Sequence, residues 1–453
     1  MTKLRQPSRK RFSSRPPPMS ERQPSGRRVL ATRILSFGSL PILASLSPLL
    51  VLPAVARASS PDVWAAFVAA QTIGSFAGTL IMFGWNLTGQ ARIALARALP
   101  DRSEVYGESL RSRGILFGLA APAAALAAVL ISPPDGRVAV VMMAIAMSYY
   151  GLSMSWYAVG TGRARSIALY EALPRLVAAL ASSVLVWLTG EVWIYPLILI
   201  CLSVGGTIAF NRATFGVILP APPRGVRVLA SLRESSHTAF ATVVGGAYAS
   251  APLPITVAAG GALAGGMASV DRLYRYGLLA MSALSSATHA WSLQLSGPAL
   301  RRRQYVTLAL HALVAGVGGL AIALAGPWAT AWLFGAELAG SAGLCGLYGA
   351  AFAMVTVSTP LIRNLLIPFG RSRTVATATV IGIAVGLPSM LVGVQTLGAV
   401  GVAGALALTE LICLLVILPP SLRLLLMRSR AEGDRTNESR SSLDEDHSGG
   451  EPQ

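Results

Sequence analysis

The sequence carries little charge for its length. Only 12% of its 453 residues are Asp, Glu, Lys or Arg, about half the share found in soluble domains. Apolar residues make up 53%, and the mean hydropathy is +0.60. A soluble chain could not bury that much apolar surface behind so few charges. The composition therefore predicts a polytopic helical membrane protein, and its solid apolar runs exclude a membrane β-barrel, whose strands alternate.

Residues that bind metals or act as nucleophiles are also scarce. Cys201, Cys345 and Cys413 lie far apart within apolar runs, as small buried hydrophobic residues do. Four histidines are scattered without the spacing of metal ligands, and no Ser, His and Asp set resembles a catalytic triad. We therefore expect no enzymatic activity, no cofactor, no metal site and no nucleic-acid partner.

Long uncharged windows recur along the chain, and each is long enough to cross a bilayer as a helix of about 20 residues. The twelve windows are 31–56, 62–84, 114–132, 138–160, 167–188, 193–217, 238–259, 268–292, 304–326, 341–365, 375–395 and 398–420. The sequence thus predicts about twelve transmembrane helices.

The basic residues concentrate in the connections of one side. Most of the 37 Lys and Arg lie in the N-terminal segment through Arg33, in the even-numbered connections or in the tail from Arg423, whereas the odd-numbered connections hold only Arg57 and Arg137. The positive-inside rule then places both termini and the even-numbered connections in the cytoplasm. We expect a multi-pass protein of the bacterial cytoplasmic membrane.

The hydropathy pattern repeats after roughly 205 residues, so that the first six spans resemble the last six in layout. Such repeats build transporters from two bundles with a cavity between them. We therefore expect an all-α fold of two six-helix bundles around a central cavity. The expected organisation is a disordered basic tail (1–28), a first bundle (29–217), a cytoplasmic linker (218–237), a second bundle (238–422) and a disordered cytoplasmic tail (423–453).

Five arginines lie in or near the apolar spans, where an unpaired charge costs several kcal/mol. They are Arg175, Arg212, Arg272, Arg275 and Arg363. The acids there are only Glu171, Asp271 and Glu410. This excess of arginine favours a cationic cavity for an anionic substrate, because one planar guanidinium group can bind two phosphate oxygens at once. The alternative is that these side chains reach to the head groups, or, for Arg272 and Arg275, pair with Asp271 within one helix.

Three segments in this order along the twelve spans resemble one known family. AAQTIGSFAGTLIMFGWNLTGQARIA (69–94), SVDRLYRYG (269–277) and LLIPFGRSR (365–373) look like the bacterial polysaccharide-biosynthesis flippases. These flippases belong to the multidrug/oligosaccharidyl-lipid/polysaccharide exporter (MOP) superfamily. The resemblance covers roughly 30–425.

The resemblance implies that the protein moves an undecaprenyl-diphosphate-linked oligosaccharide from the inner to the outer leaflet by alternating access. The implied partners are this anionic lipid-linked glycan, the membrane lipids and the glycan polymerase or glycosyltransferase machinery. By position, Arg272 and Arg275 match the cationic cavity residues best, with Arg92 at the cytoplasmic mouth. The candidate substrate-binding residues are Arg272, Arg275, Arg92, Arg175, Arg363 and Asp271.

Three other functions stay open at this point. The first is a small-molecule or drug exporter of the same superfamily, and the second is a membrane-embedded polysaccharide polymerase or glycosyltransferase. Such enzymes usually need a long outer loop or an acidic motif, and the outer connections here are short. The third is a scaffold or a scramblase-like partner that transports nothing.

Overall fold

The computed structural model describes residues 47–96, 98–220, 236, 242–243, 245–260, 263–292 and 297–448. The predicted basic tail (1–28), the first part of span one and nearly all of the predicted linker (218–237) lie outside the described residues. The same holds for the first residues of span seven.

The first half of the chain is helical throughout its described part. Its α-helices are α1 (Pro48–Arg57), α2 (Pro61–Met82), α3 (Trp85–Leu95), α4 (Leu99–Ile131), α5 (Arg137–Ser148), α6 (Ser155–Gly160), α7 (Ala164–Ile167), α8 (Leu173–Thr189) and α9 (Ile194–Phe215). A 3-10 turn, Tyr149–Leu152, joins α5 to α6, and a π-helical turn, Ala168–Ala172, joins α7 to α8.

The second half repeats this plan. Its α-helices are α10 (Pro252–Ala258), α11 (Ala264–Ser292), α12 (Gly297–Leu320), α13 (Gly326–Phe334), α14 (Ala342–Pro360) and α15 (Ser372–Ser448). Two π-helical turns, Ala321–Ala325 and Leu361–Leu366, follow α12 and α14, and a 3-10 turn, Ala336–Leu338, follows α13.

Eight continuous helices within the described residues are long and apolar enough to cross a membrane. The longest, Ser372–Leu426, contains both of the last two predicted spans, and Gly398 (φ 59°, ψ −137°) breaks it between them. Span eight coincides with α11, whose hydropathy is lowered by its charged residues. Span one is described only as α1, and span seven as α10 and the helical residues that precede it. The prediction of an all-α polytopic membrane protein is confirmed.

Local sequence explains where α2 begins and ends. The Ser60 side chain accepts a hydrogen bond from the backbone N–H of Val63, and Pro61 occupies the first helical position, where its missing N–H costs nothing. At the other end Phe83 (φ 41°) and Gly84 (φ 79°) both take left-handed conformations, which stop the helix. A bulky residue rarely adopts such a φ, so Phe83 is held there by its surroundings.

The two halves meet where α2 packs beside α11. Pro61 lies against Gly265, and Trp64 Nε1 donates a hydrogen bond to Ser269 Oγ at 3.1 Å. Further along both helices, Arg272 reaches Thr72. Residue numbers increase together on the two helices at an offset of about 205, so equivalent spans of the two halves run parallel. This is the arrangement of repeats related by an axis along the membrane normal.

The halves are closed at one end of this contact. The rings of Trp64 and Phe334 lie 5.1 Å apart, and Trp64 is completely buried. Beside them, Arg57 Nη2 donates to the carbonyl oxygen of Trp332 at 2.8 Å. We call this the closed end. The other end of the bundles, where α2 stops at Met82 and the arginine-rich connections lie, is the basic end.

Arg113 corrects a prediction. The sequence placed it in a cytoplasmic connection, but α4 starts fifteen residues earlier than the predicted span and carries Arg113 into the first bundle, where it is fully buried. Its guanidinium donates to the carbonyl oxygens of Gly151 (3.0 Å) and Ser153 (2.8 Å) and lies over the Trp156 ring. The 3-10 turn before α6 leaves these carbonyls without helical partners, and that is why a cation is needed there.

The last helix also extends past its predicted limit. α15 continues to Ser448, although the composition of 423–453 predicts a disordered tail. Between Pro420 and Pro452 the sequence has no proline, so no residue there removes a backbone hydrogen-bond donor.

Close helix packing in the second half depends on glycine. A Cβ added to Gly319 on α12 would lie 2.9 Å from the carbonyl oxygen of Gly349 on α14, whereas Gly316, on the same helix, has open space around its Cα. The helices can approach this closely only because neither glycine has a side chain.

We expect Gly319→Ala to lower the stability of the protein in detergent by about 1–3 kcal/mol, because the two helices must separate. Gly316→Ala is the matched control, and it should leave the melting temperature unchanged or raise it, since alanine favours helix more than glycine does. Thermal unfolding of both variants measures the difference. Equal melting temperatures would contradict the packing argument.

Candidate functional site

A cavity of about 460 Å³ lies between the two halves, next to the contact of α2 with α11. Both halves contribute to its walls. The lining residues are Pro48, Gln71, Ser75, Met147, Tyr150 and Arg175 from the first half, and Arg272, Arg275, Tyr276, Leu278, Leu279 and Ser282 from the second. A cleft shared by two repeats is where transporters of this build hold their substrates.

The cavity continues toward the basic end. A neighbouring chamber of about 280 Å³ shares Ser75 and Tyr150 with it and is also lined by Thr79, Met82 and Asn86. These residues follow one another along α2 and into α3, away from Trp64. The space between the halves is therefore closed beside Trp64 and extends toward the basic connections.

One carboxylate organises the arginines of the second half. Asp271 Oδ2 accepts hydrogen bonds from Arg275 Nε at 2.7 Å and from Arg272 Nη2 at 3.2 Å, and its side chain is only 3% exposed. Arg275 lies one helical turn after Asp271, so the pair forms along one face of α11. The intrahelical pair considered from the sequence is present, yet both arginines still line the cavity.

Arg272 also ties the second half to the first. Its Nη1 donates to Gln71 Oε1 at 3.1 Å and its Nη2 to Thr72 Oγ1 at 3.0 Å, both on α2. Because a guanidinium is planar and rigid, these bonds together with Asp271 fix its orientation. The remaining donor, Nε, is buried and has no hydrogen-bond partner among the described residues.

Arg175, on the opposite wall, makes the weakest polar contacts of the three arginines. It stacks over the Tyr150 ring at 4.0 Å, and its Nη2 lies 3.8 Å from Glu171 Oε2, a long contact for an ion pair. Glu171 is engaged elsewhere, because it accepts bonds from the Ser153 hydroxyl and from the backbone N–H of Met154. The guanidinium of Arg175 can therefore turn to a ligand at little cost.

The other two predicted arginines lie elsewhere. Arg92 forms a two-point ion pair with Glu108, at 3.0 and 2.6 Å, and lies over the Trp85 ring. Arg363 donates to Ser285 Oγ at 3.3 Å and is exposed. Neither side chain lines the cavity. The structure thus brings together Arg175, Arg272, Arg275 and Asp271 and leaves Arg92 and Arg363 out of this group.

Most of the cavity residues were missed in the sequence, among them Gln71, Tyr276 and Tyr150. Gln71 is a polar side chain in the middle of an apolar span, and this could have singled it out. Tyr276 lies within the SVDRLYRYG segment, next to Arg275. Tyr150 belongs to a 3-10 turn that hydropathy does not reveal, and only the fold places it under Arg175.

The charged side chains that line the cavity are three arginines, with Asp271 behind two of them and Glu171 beside the third. The walls therefore carry a net positive charge. In the described part of the chain, no three His, Cys, Asp or Glu side chains come together in a way that could hold a metal ion.

We expect Asp271→Asn to destabilise the protein by about 2 kcal/mol, because two guanidinium groups lose their shared carboxylate. This is less than for a fully buried pair, since the Arg275 side chain is 29% exposed. Adding Arg275→Gln should restore part of the loss by removing one unpaired charge. Thermal unfolding of the two variants tests this, and a double variant less stable than Asp271→Asn alone would contradict it.

Comparison with solved structures identifies the fold. The chain is similar to an inward-facing multidrug resistance MATE family transporter of the MOP superfamily, with 14% identity, a TM-score of 0.59, and coverage of 88% of this chain and 99% of that one. A ligand-bound MATE multidrug transporter matches with 12% identity, a TM-score of 0.57 and coverage of 89% and 97%. A eukaryotic MATE transporter matches with 10% identity, a TM-score of 0.53 and coverage of 91% and 100%.

No protein family description and no curated protein matches the sequence itself. The structural matches extend over nearly the full length of the solved transporters, at low sequence identity. The chain therefore has the two-bundle, twelve-helix fold of the MATE transporters.

Proposed function

We propose that this protein is a small-molecule exporter that carries an organic anion across the membrane by alternating access. The proposal rests on one observation: Arg175, Arg272 and Arg275 line the same cavity between two bundles related by the repeat. Charge-assisted bonds from guanidinium groups to carboxylate, sulfonate or phosphate oxygens are strong and directional. The transporters that share the fold are described as multidrug transporters, which supports a small-molecule cargo.

The conformation suits the first step of export. If the basic connections face the cytoplasm, as the positive-inside rule predicts, the cavity extends inward and the Trp64 end is closed to the outside. A cytoplasmic anion can then enter and meet the three guanidinium groups. Rocking of the two bundles about the contact of α2 with α11 would break the closed end and expose the same arginines to the other side.

An anionic cargo also supplies a driving force. The interior of a bacterial cell is electrically negative, so that moving an anion outward releases roughly 2.3 kcal/mol per charge for each 100 mV. The cationic walls match the substrate charge while it crosses the low-dielectric interior, where an unpaired charge is costly. Export of an anion thus needs less chemical coupling than export of a cation.

A second cargo is a lipid-linked oligosaccharide, which the sequence resemblance implies. Its diphosphate carries the same oxygen chemistry, and three guanidinium groups around one cavity are a suitable number for two adjoining phosphates. Flipping of such a lipid would use the same residues and the same rocking motion. The two cargoes share the anionic group and differ in whether a polyprenyl chain and a glycan are attached.

Transport in proteoliposomes separates these possibilities. The purified protein would be tested with carboxyfluorescein as an organic anion, with a rhodamine dye as a cation of similar size, and with an undecaprenyl-diphosphate-linked oligosaccharide. Movement of the anion and not of the cation supports the proposal. Movement of the lipid-linked glycan alone supports the second cargo, and movement of the cation alone overturns the charge argument.

We expect Arg175→Gln to reduce transport of the anion at least about tenfold, because a charge-assisted hydrogen bond contributes about 1.5–3 kcal/mol. The fold should survive, since Arg175 makes few contacts of its own. Arg92→Gln is the matched control, because it removes a paired arginine that lies outside the cavity. Equal losses in the two variants would show that net charge, and not the cavity, determines transport.

A further inference from the structure

A group of buried polar side chains lies in the second bundle, apart from the substrate cavity. Gln304, Thr307 and His311 share one face of α12, spaced three and four residues apart. Thr356 lies on α14, which packs against α12. Each of the four is at most 1% exposed. We call this group the polar seam.

The packing of the two helices places these residues opposite one another. Gly319 of α12 meets Gly349 of α14, and Gln304 Nε2 donates to the backbone oxygen of Asn364, just after α14. Residue numbers at the two contacts run in opposite directions, so the helices are antiparallel. Thr356 lies two helical turns after Gly349 on the same face of α14, and it therefore faces α12 at the level of His311.

The polar atoms of the seam lack partners. Gln304 Oε1, Thr307 Oγ1, His311 Nε2 and Thr356 Oγ1 are all buried and make no hydrogen bond within the described residues. Elsewhere in the spans, hydroxyl groups usually bond the carbonyl four residues back, as Thr256 and Thr409 do. Buried polar atoms in folded proteins nearly always have partners, so four of them on facing sides of two packed helices favour a bound polar species.

The chemistry of the four atoms shows what they can hold. His311 Nδ1 lies 2.8 Å from the carbonyl oxygen of Thr307, an acceptor, so Nδ1 carries the hydrogen and Nε2 is left as an acceptor in the neutral ring. Gln304 Oε1 is a second acceptor, and the hydroxyl groups of Thr307 and Thr356 can both donate and accept. Water, which donates two hydrogen bonds and accepts two, satisfies such a set.

A line of polar side chains connects the seam with the substrate cavity. Ser282 of α11 lines the cavity, and Ser285, one turn later, is bonded to Arg363. His289, one turn further, contacts Asn364 Oδ1 at 2.7 Å. The backbone oxygen of Asn364 accepts from Gln304, the first residue of the seam.

We propose that the polar seam is a proton-binding site, in which water held between α12 and α14 carries a proton to Nε2 of His311. The protonated ring would donate from Nδ1 to the Thr307 carbonyl, as it does now, and from Nε2 to a hydroxyl or amide oxygen of the seam. The proton comes from water at the cavity or the basic end and returns there. Nothing in this step depends on the proposed substrate.

Other charged or titratable groups surround α12. The outermost charge is Arg363, at the end of the seam where Asn364 lies, and it opposes a permanent positive charge on His311. The other titratable or charged groups among the described side chains of α12 and of the helices that pack on it are Arg301, Arg302, Arg303 and Tyr305 on α12, Asp271, Arg272, Tyr274, Arg275, Tyr276 and His289 on α11, Cys345 and Tyr348 on α14, and Arg373, Glu410, Cys413 and Arg423 on α15. The histidines are the members of this set whose charge normally changes near neutral pH, and the His311 ring has a buried nitrogen without a hydrogen-bond partner in the described residues.

The test is a titration of the full chain in nanodiscs labelled with ¹⁵N-histidine. The chain has His237, His289, His311 and His447, so the His311 signal is the one lost in His311→Gln. If that variant does not fold, replacing each of the other three in turn assigns it by elimination. We expect the His311 signal to change from neutral to protonated when the pH is lowered from about 8 to about 4.

A variant that keeps His311 distinguishes a hydrated seam from a merely buried ring. Thr307→Val removes a seam hydroxyl but retains the carbonyl that holds Nδ1, and it should shift the His311 midpoint by about half a pH unit or more. Thr256→Val is the matched control, because Thr256 is equally buried but bonds its own helix. A His311 signal that stays neutral throughout, or that titrates identically in Thr307→Val and the wild type, overturns the proposal.

Because the titration uses no substrate, it succeeds or fails independently of the transport assay. If the protein moves no anion but His311 becomes protonated, the proton site is supported and the proposed cargo is contradicted. If the protein moves the anion while His311 stays neutral, the cargo is supported and the proton site is contradicted.

Discussion

The buried carboxylate of Asp271 is the group on which the centre of the molecule depends. Two arginines of α11 share it, and one of them reaches across to Gln71 of the other half. Without a carboxylate, two guanidinium groups side by side would repel each other in a poorly solvated place. With it, one stays directed into the cavity while the other holds the halves in register. The same group of side chains therefore neutralises part of the arginine charge and joins the two halves of the chain. The cavity wall still carries a net positive charge.

The large features of the fold follow from the sequence because the bilayer constrains them. Apolar windows of sufficient length predicted the spans, and the repeat of about 205 residues reappears as the parallel packing of α2 on α11. The departures have local causes. Arg113 was placed in a connection because hydropathy marks only the apolar part of a helix and gives no sign that α4 begins earlier. The break at Gly398 was drawn as a boundary between spans, whereas the structure shows a kink with almost no intervening loop.

The arginines of the site could be predicted from the sequence, but their contacts could not. Arginine is rare in membrane spans, so Arg175, Arg272 and Arg275 were conspicuous by composition alone. Sequence could not tell which arginines meet, because this depends on long-range contacts. Arg92 lies just as close to a span end, yet it forms a two-point ion pair with Glu108, sixteen residues later. The polar seam was not predicted, since scattered Thr, Ser and His in apolar helices usually satisfy themselves locally.

The contact between Trp64 and Ser269 has a consequence for how such a protein could arise. The two residues occupy almost the same position of the two repeats, one as donor and the other as acceptor. A symmetric ancestor made of identical subunits would have placed two tryptophans, or two serines, face to face. Two indoles would crowd the axis, and two serines would leave the gap between the halves unfilled. Complementarity at this point therefore requires that the two halves differ in sequence, as they do in this chain.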